Sequence, residues 1–132
     1  MKTFLIINAL LISSLFYGCS TAQSQETKTV LTATEFNEQI RSNPQALVID
    51  VRSPSEFSES HLVNAKNIDW NGIDFENQIS KLDKSQPVYV YCKGGARSEA
   101  AAKKMRDLGF LEVYELEGGI LKWQASNLPI IK

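Results

Sequence analysis

The chain has 132 residues but only one histidine, two cysteines and a formal charge of −1, and each shortage removes a class of function. A balanced charge gives no electrostatic footing for nucleic acid and no broad face for an anionic surface. One cysteine and one histidine in the body of the chain, Cys92 and His61, do not make a zinc site, so no metal and no cofactor is expected. The second cysteine, Cys19, falls in an N-terminal export segment. Cys92 is therefore expected to be the only free thiol of the folded part, with no disulfide inside the domain. There is no internal repeat and no nucleotide motif. The apolar run Phe4 to Tyr17 has 14 residues, short of the ~20 that a spanning helix needs. The rest is ordinary: 43% hydrophobic and 22% charged residues, in a length that suits one domain.

The short apolar run suits the h-region of a secretory signal peptide, with Lys2 as a minimal positive n-region. Residues 1–18 read as that signal, residues 19–28 as a polar, flexible tether, and residues 29–132 as the domain. Two cleavage readings stay open. Leu15-Phe16-Tyr17-Gly18-Cys19 resembles a bacterial lipoprotein box, in which Cys19 would carry the lipid. Phe16 departs from the aliphatic residue that pattern prefers. The other reading is cleavage after Ser20-Thr21-Ala22, which fits the small-x-small rule and gives a soluble periplasmic form. Either way the expected address is the bacterial cell envelope, with membrane contact through a lipid anchor only. A lone exported cysteine is a liability in an oxidising compartment unless it has a chemical role.

The stretch that best suggests such a role is Val88-Tyr89-Val90-Tyr91-Cys92-Lys93-Gly94-Gly95-Ala96-Arg97-Ser98. An apolar, β-branched and aromatic run reads as a buried strand. A loop with two glycines follows, and from Ser98 to Leu108 the residues are helix formers, with Gly109 placed to end the helix. A cysteine thus stands at the C-terminal end of a strand, the edge at which α/β proteins bind ligands. Upstream, Val30–Thr32, Ala46–Val51 and Ala65–Ile68 read as strands, and Leu111–Leu116 does so downstream. A helix capped by Thr32 or Thr34 carries Phe36 and Ile40 and stops at Ser42-Asn43-Pro44. Another begins with Ser53 as cap, Pro54 at its first position and Glu56 completing a capping box. Asp74–Leu82 is amphipathic, and Ile120, Leu121 and Trp123 suggest a last helix after Glu117-Gly118-Gly119. The alternation predicts an α/β fold: a central, mostly parallel five-stranded sheet with helices on both faces.

Three ordered segments carry a family resemblance. Asp50 to Phe57 with His61 to Ile68 resembles the first signature of rhodaneses. Val90 to Ser98 resembles their active-site loop, and Leu116 to Trp123 with Leu128-Pro129 resembles their closing motif. Asn64 departs from the Pro-Gly that often precedes the alanine there. The resemblance implies a single-domain rhodanese-like sulfurtransferase, expected to be a monomer. Such a protein moves a sulfane sulfur from a donor such as thiosulfate to a thiol or cyanide acceptor, through a persulfide on Cys92.

That chemistry requires a thiolate, and an ordinary thiol, with a pKa of ~8.5, is only a few per cent ionised near neutrality. The loop offers a helix N-terminus, a nest of N–H groups made accessible by Gly94 and Gly95, and the charges of Lys93 and Arg97. Together Lys93, Gly94, Gly95, Ala96, Arg97 and Ser98 form the candidate anion cradle around the candidate nucleophile Cys92. Each assignment has a plainer rival. Cys92 could be an inert buried thiol, Arg97 and Lys93 solvated charges, and Ser98 a helix cap rather than a donor to the persulfide. Asp50 and Arg52 read as braces for the loop or for each other, rather than as substrate contacts. His61 reads as a packed residue, and Trp70 and Trp123 as core or pocket wall. A non-catalytic module that binds a partner or stores sulfur is the alternative from another class. Phosphatase or arsenate reductase chemistry is the enzymatic rival, but only four residues separate Cys92 from Arg97 where phosphatases of this fold have five.

Overall fold

Val88-Tyr89-Val90-Tyr91 is buried at every position, as befits a strand covered on both faces. In the computed structural model, which describes residues 27–132, this strand lies at the centre of the sheet. The strands are β1 Val30–Leu31, β2 Leu47–Asp50, β3 Lys66–Asn67, β4 Val88–Tyr91 and β5 Val113–Leu116. Their order is β1-β5-β4-β2-β3, and every neighbouring pair is parallel. The expected α/β architecture is therefore present, and the sheet is wholly parallel.

Among the described residues four helices link successive strands, α1 Ala33–Ser42, α2 Pro54–Glu59, α3 Phe75–Ser80 and α4 Ala96–Asp107, and α5 Gly119–Ala125 follows β5. Side chains alternate across a strand, so β4 feeds two cores. Val88, Val90 and Cys92 pack with Phe75, Ile79, Ala101 and Met105 beneath α3 and α4. Tyr89 and Tyr91 pack with Phe36, Leu62, Ile120 and Trp123 beneath α1 and α5. Cys92 thus continues the strand's alternation into the α4 side.

Local chemistry sets several ends. Thr32 and Ser53 each cap a helix through a complete capping box with Glu35 and Glu56. Gly109 follows the last turn of α4 at φ 95°, a conformation that glycine adopts without strain. Other ends differ from expectation. β5 begins at Val113 because Leu111 is 77% exposed, turned out beyond the sheet. The third helix is shorter than Asp74–Leu82. The difference that bears on the cysteine loop is at α4, which begins at Ala96 rather than at Ser98.

Candidate active site

Cys92 follows the last residue of β4 and is almost fully buried. Its Sγ accepts a hydrogen bond from the Gly95 N–H at 3.1 Å and lies 3.4 Å from the Ser98 hydroxyl. Gly95 stands at the N-cap of α4 with φ 121°, a value that L side chains rarely adopt. That turn folds the chain back so that the loop's N–H groups point at the sulfur. Burial pushes the Cys92 thiol up. The Ser98 hydroxyl and the N–H groups of Ser98, Gly95 and Gly94 pull it down, and the net position lies below the ordinary thiol value. Neutral donors at a helix N-terminus therefore favour the thiolate here.

Ser98 is not the helix cap. It is the third residue of α4, 1% exposed, and its hydroxyl also reaches the Gly95 carbonyl at 3.0 Å. The early helix start makes this placement: Gly95 takes the cap, and Ser98 turns under the loop toward the sulfur.

Arg97 does not point at the sulfur. Its two terminal nitrogens grip the Glu56 carboxylate at 2.8 and 2.9 Å, and both side chains are roughly three-quarters buried. Glu56 holds the Arg97 guanidinium above its ordinary pKa, and the thiolate adds to this more weakly. Arg97 in turn holds Glu56 well below the usual carboxylate range, with the α2 cap bonds from Ser53 helping. Glu56 was legible in the sequence as a capping-box residue. Its second role, holding the loop's arginine, carries no local signal. Lys93 and Ala96 are exposed on the loop, and Lys93 has no ion-pair partner among the described residues.

Asp50, at the end of β2 and in register with Tyr91 of β4, and Arg52 hold each other. Arg52 donates to the Asp50 carboxylate at 2.6 and 3.0 Å and to the Ser60 carbonyl at 2.6 Å, with 5% and 0% of their side chains exposed. The Arg52 guanidinium also stands over the Tyr91 ring, 5.7 Å from its centre. Burial, followed by the nearby Asp50 charge, pushes the Tyr91 phenol far up, so it stays neutral and accepts the Leu62 N–H. His61 stacks on Phe57 and bonds its carbonyl through Nδ1, away from the sulfur. Trp123 is core, its Nε1 donating to the Pro129 carbonyl, and Trp70 packs edge-on against Phe75. Cys19 lies outside the described residues.

The closing motif has a function that a turn reading does not reveal. The N–H groups of Ile120 and Leu121 at the start of α5 donate to the carbonyls of Cys92 and Lys93, at 2.9 and 3.3 Å. Gly119, at φ 62°, lies directly against those carbonyls, and a Cβ there would overlap the Lys93 carbonyl oxygen. The loop's carbonyls are thus tied down from behind, while its N–H groups face the sulfur. A cleft of about 940 Å³ runs past the loop, lined by Gly94, Gly95, Ala96, Ser98 and the Glu115–Gly118 segment.

A buried, activated cysteine at the end of a parallel strand, cradled by the N-terminus of the following helix, defines a reactive-cysteine α/β domain. Comparison with known proteins narrows the class. A family model described as Rhodanese-like domain matches residues 32–126, and the chain belongs to that family. An uncharacterized protein of Bacillus subtilis, YqhL, is 40% identical over 93 residues, 70% of each chain. Thiosulfate sulfurtransferase GlpE of Vibrio cholerae is 38% identical over 87 residues, 65% of this chain and 79% of that one. Among solved structures, a rhodanese-related protein of Thermoplasma volcanium aligns with a TM-score of 0.69 at 28% identity, over 80% of this chain and 98% of that one.

Proposed function

We propose that the protein is a sulfurtransferase of the cell envelope that carries sulfane sulfur as a persulfide on Cys92. The observation that supports this most is the sulfur itself: a buried thiol lowered by donors from Gly94, Gly95 and Ser98. Its sulfurtransferase relatives support the same reading. In the first step the Cys92 thiolate attacks the outer sulfur of a donor such as thiosulfate. A new S–S bond forms, the donor's S–S bond breaks, and its electron pair leaves with sulfite. The charge of −3 on the reactants is kept as Cys92–S–S⁻ and sulfite dianion. The donors around Sγ then face an anion of the same sign one atom further out. In the second step a thiolate or cyanide attacks the outer sulfur and regenerates the Cys92 thiolate.

Export belongs to the same proposal, with Cys19 lipidated or the chain cleaved after Ala22. One measurement addresses both parts. Intact-mass spectrometry of protein extracted from membranes, before and after thiosulfate, is expected to report a lipid on Cys19 and one added sulfur on Cys92. Cys92→Ser is expected to lose the added sulfur and to abolish thiocyanate formation from thiosulfate and cyanide. Full activity in that variant would refute the cysteine assignment, and unlipidated protein confined to the soluble fraction would refute the anchor.

A further inference from the structure

The charges around the Cys92 loop cancel in pairs. Asp50 and Arg52 neutralise each other at the end of the neighbouring strand. Glu56 takes both terminal nitrogens of Arg97 at 2.8 and 2.9 Å. Lys93 is left as one exposed cation at the loop, and exposed Glu99 of α4, without an ion-pair partner among the described residues, offsets part of it. Beyond the neutral donors of the loop, an incoming donor therefore meets less than one uncompensated positive charge. Such a site suits a donor with one negative charge better than a dianion, because each added charge meets little that compensates it.

We infer that Glu56 is a specificity-determining residue, which by neutralising Arg97 favours singly charged sulfane-sulfur donors, of the thiosulfonate or persulfide class, over dianionic thiosulfate. The inference rests on the sulfurtransferase reading. Its chemistry balances for either donor. With a thiosulfonate, R–SO₂–S⁻ and the Cys92 thiolate give Cys92–S–S⁻ and the sulfinate R–SO₂⁻, two negative charges on each side. With thiosulfate the count is three on each side. The reacting sulfur and the bond broken are alike, so the two donors differ chiefly by one charge at the end that is not transferred, and the Arg97–Glu56 pair lies close enough for Arg97 to feel charge at the sulfur.

Glu56→Gln tests the idea cleanly. Glutamine completes a capping box as glutamate does, so the start of α2 is kept. It can still accept a hydrogen bond from Arg97, but it frees that residue's charge. Ser53→Ala is the structural control. It removes the cap oxygen that Glu56 shares and leaves the Arg97 pair in place. The experiment measures KM and kcat for thiosulfate and for methanethiosulfonate, with cyanide as acceptor. The wild type is expected to show the lower KM for methanethiosulfonate. In Glu56→Gln the KM for thiosulfate should fall about fivefold more than that for methanethiosulfonate, as one partly screened charge at contact range would give. The differential should shrink in 0.5 M salt, a concentration at which screening extends over only about 4 Å.

A wild type with the lower KM for thiosulfate would overturn the inference, and this needs no variant to fold. An unchanged KM ratio in Glu56→Gln would overturn it too, as would an equal shift in Ser53→Ala. A wild type that gains no sulfur on Cys92 from either donor would instead overturn the sulfurtransferase reading, and this inference with it.

Discussion

The hydroxyl of Ser98 has one hydrogen and two claimants. The Gly95 carbonyl is 3.0 Å away and the Cys92 sulfur 3.4 Å. While Cys92 is a thiol, its S–H can donate to Ser98 and the hydroxyl can donate to Gly95. Once the thiol ionises, the sulfur can only accept, and the hydroxyl must turn to it and release the carbonyl. The thiolate gains a charge-assisted bond of about 1.5–3 kcal/mol and gives up a neutral one of about 1 kcal/mol. The net preference for the thiolate is then about 1 kcal/mol, a factor of about five in the ionised fraction below the midpoint. Ser98→Ala should remove it. The assay is the rate of Cys92 alkylation by iodoacetamide between pH 5 and 9, where the rate follows the thiolate fraction. The acid limb should slow about fivefold, with the high-pH plateau kept, because the Gly95 N–H still donates. Circular dichroism at the same pH values checks that the variant is folded. An acid limb equal to or faster than that of the wild type would refute the reasoning, and would mean that the backbone N–H groups alone hold the thiolate.

Three further outcomes follow from the same geometry. Gly119→Ala should cost about 3 kcal/mol or more in urea unfolding, since φ 62° and overlap with the Lys93 carbonyl act together, whereas Gly94→Ala, with nothing within 4 Å of its Cβ, should stay within about 0.5 kcal/mol; equal costs would contradict the seat assigned to Gly119. Asp50→Asn leaves the buried Arg52 charge without its counterion and should cost about 3–5 kcal/mol by the same measurement, with a loss under about 1 kcal/mol counting against the brace. Glu56 is held below the ordinary carboxylate range, so its contribution to stability is fully present above the unfolded value of about 4.3 and is lost as pH falls toward the folded one; Glu56→Gln should therefore flatten the decline in stability between pH 5 and 3, and an unchanged decline would remove Glu56 as its source.

What the sequence disclosed follows the range of the interactions. The β4 strand, the capping boxes at Thr32 and Ser53 and the end of α4 at Gly109 are local, and residues within four positions of one another announce them. Cys92 at a strand end was legible for the same reason. Ser98 was misplaced by a local rule that holds in general: serine is a better helix cap than glycine. Gly95 takes the cap because the loop must turn at φ 121° to aim its N–H at the sulfur, a demand set by Cys92 and not by helix propensity. The Arg97–Glu56 pair spans 41 positions, and the α5 seat joins the closing motif to the loop. Neither has a signature in its own segment. Glycines in the Glu117-Gly118-Gly119 turn look like turn chemistry from sequence, and only packing shows that Gly119 is glycine because a carbonyl lies against it.

The division of labour in the loop has a chemical reason. A cation held against the sulfur would lower the thiol further, but a more stable thiolate is also a weaker nucleophile. Neutral N–H and O–H donors stabilise it moderately, and under the proposed mechanism they would still face the negative charge once it moves one atom outward. A full charge beside Sγ would favour the starting anion most and oppose the transfer. With Arg97 turned to Glu56, the loop keeps its arginine as a tie to α2 and leaves the sulfur to the dipoles of α4. The burial that raises the thiol serves the same end: it keeps water from weakening those few donors, so that hydrogen bonds of ordinary strength can outweigh it.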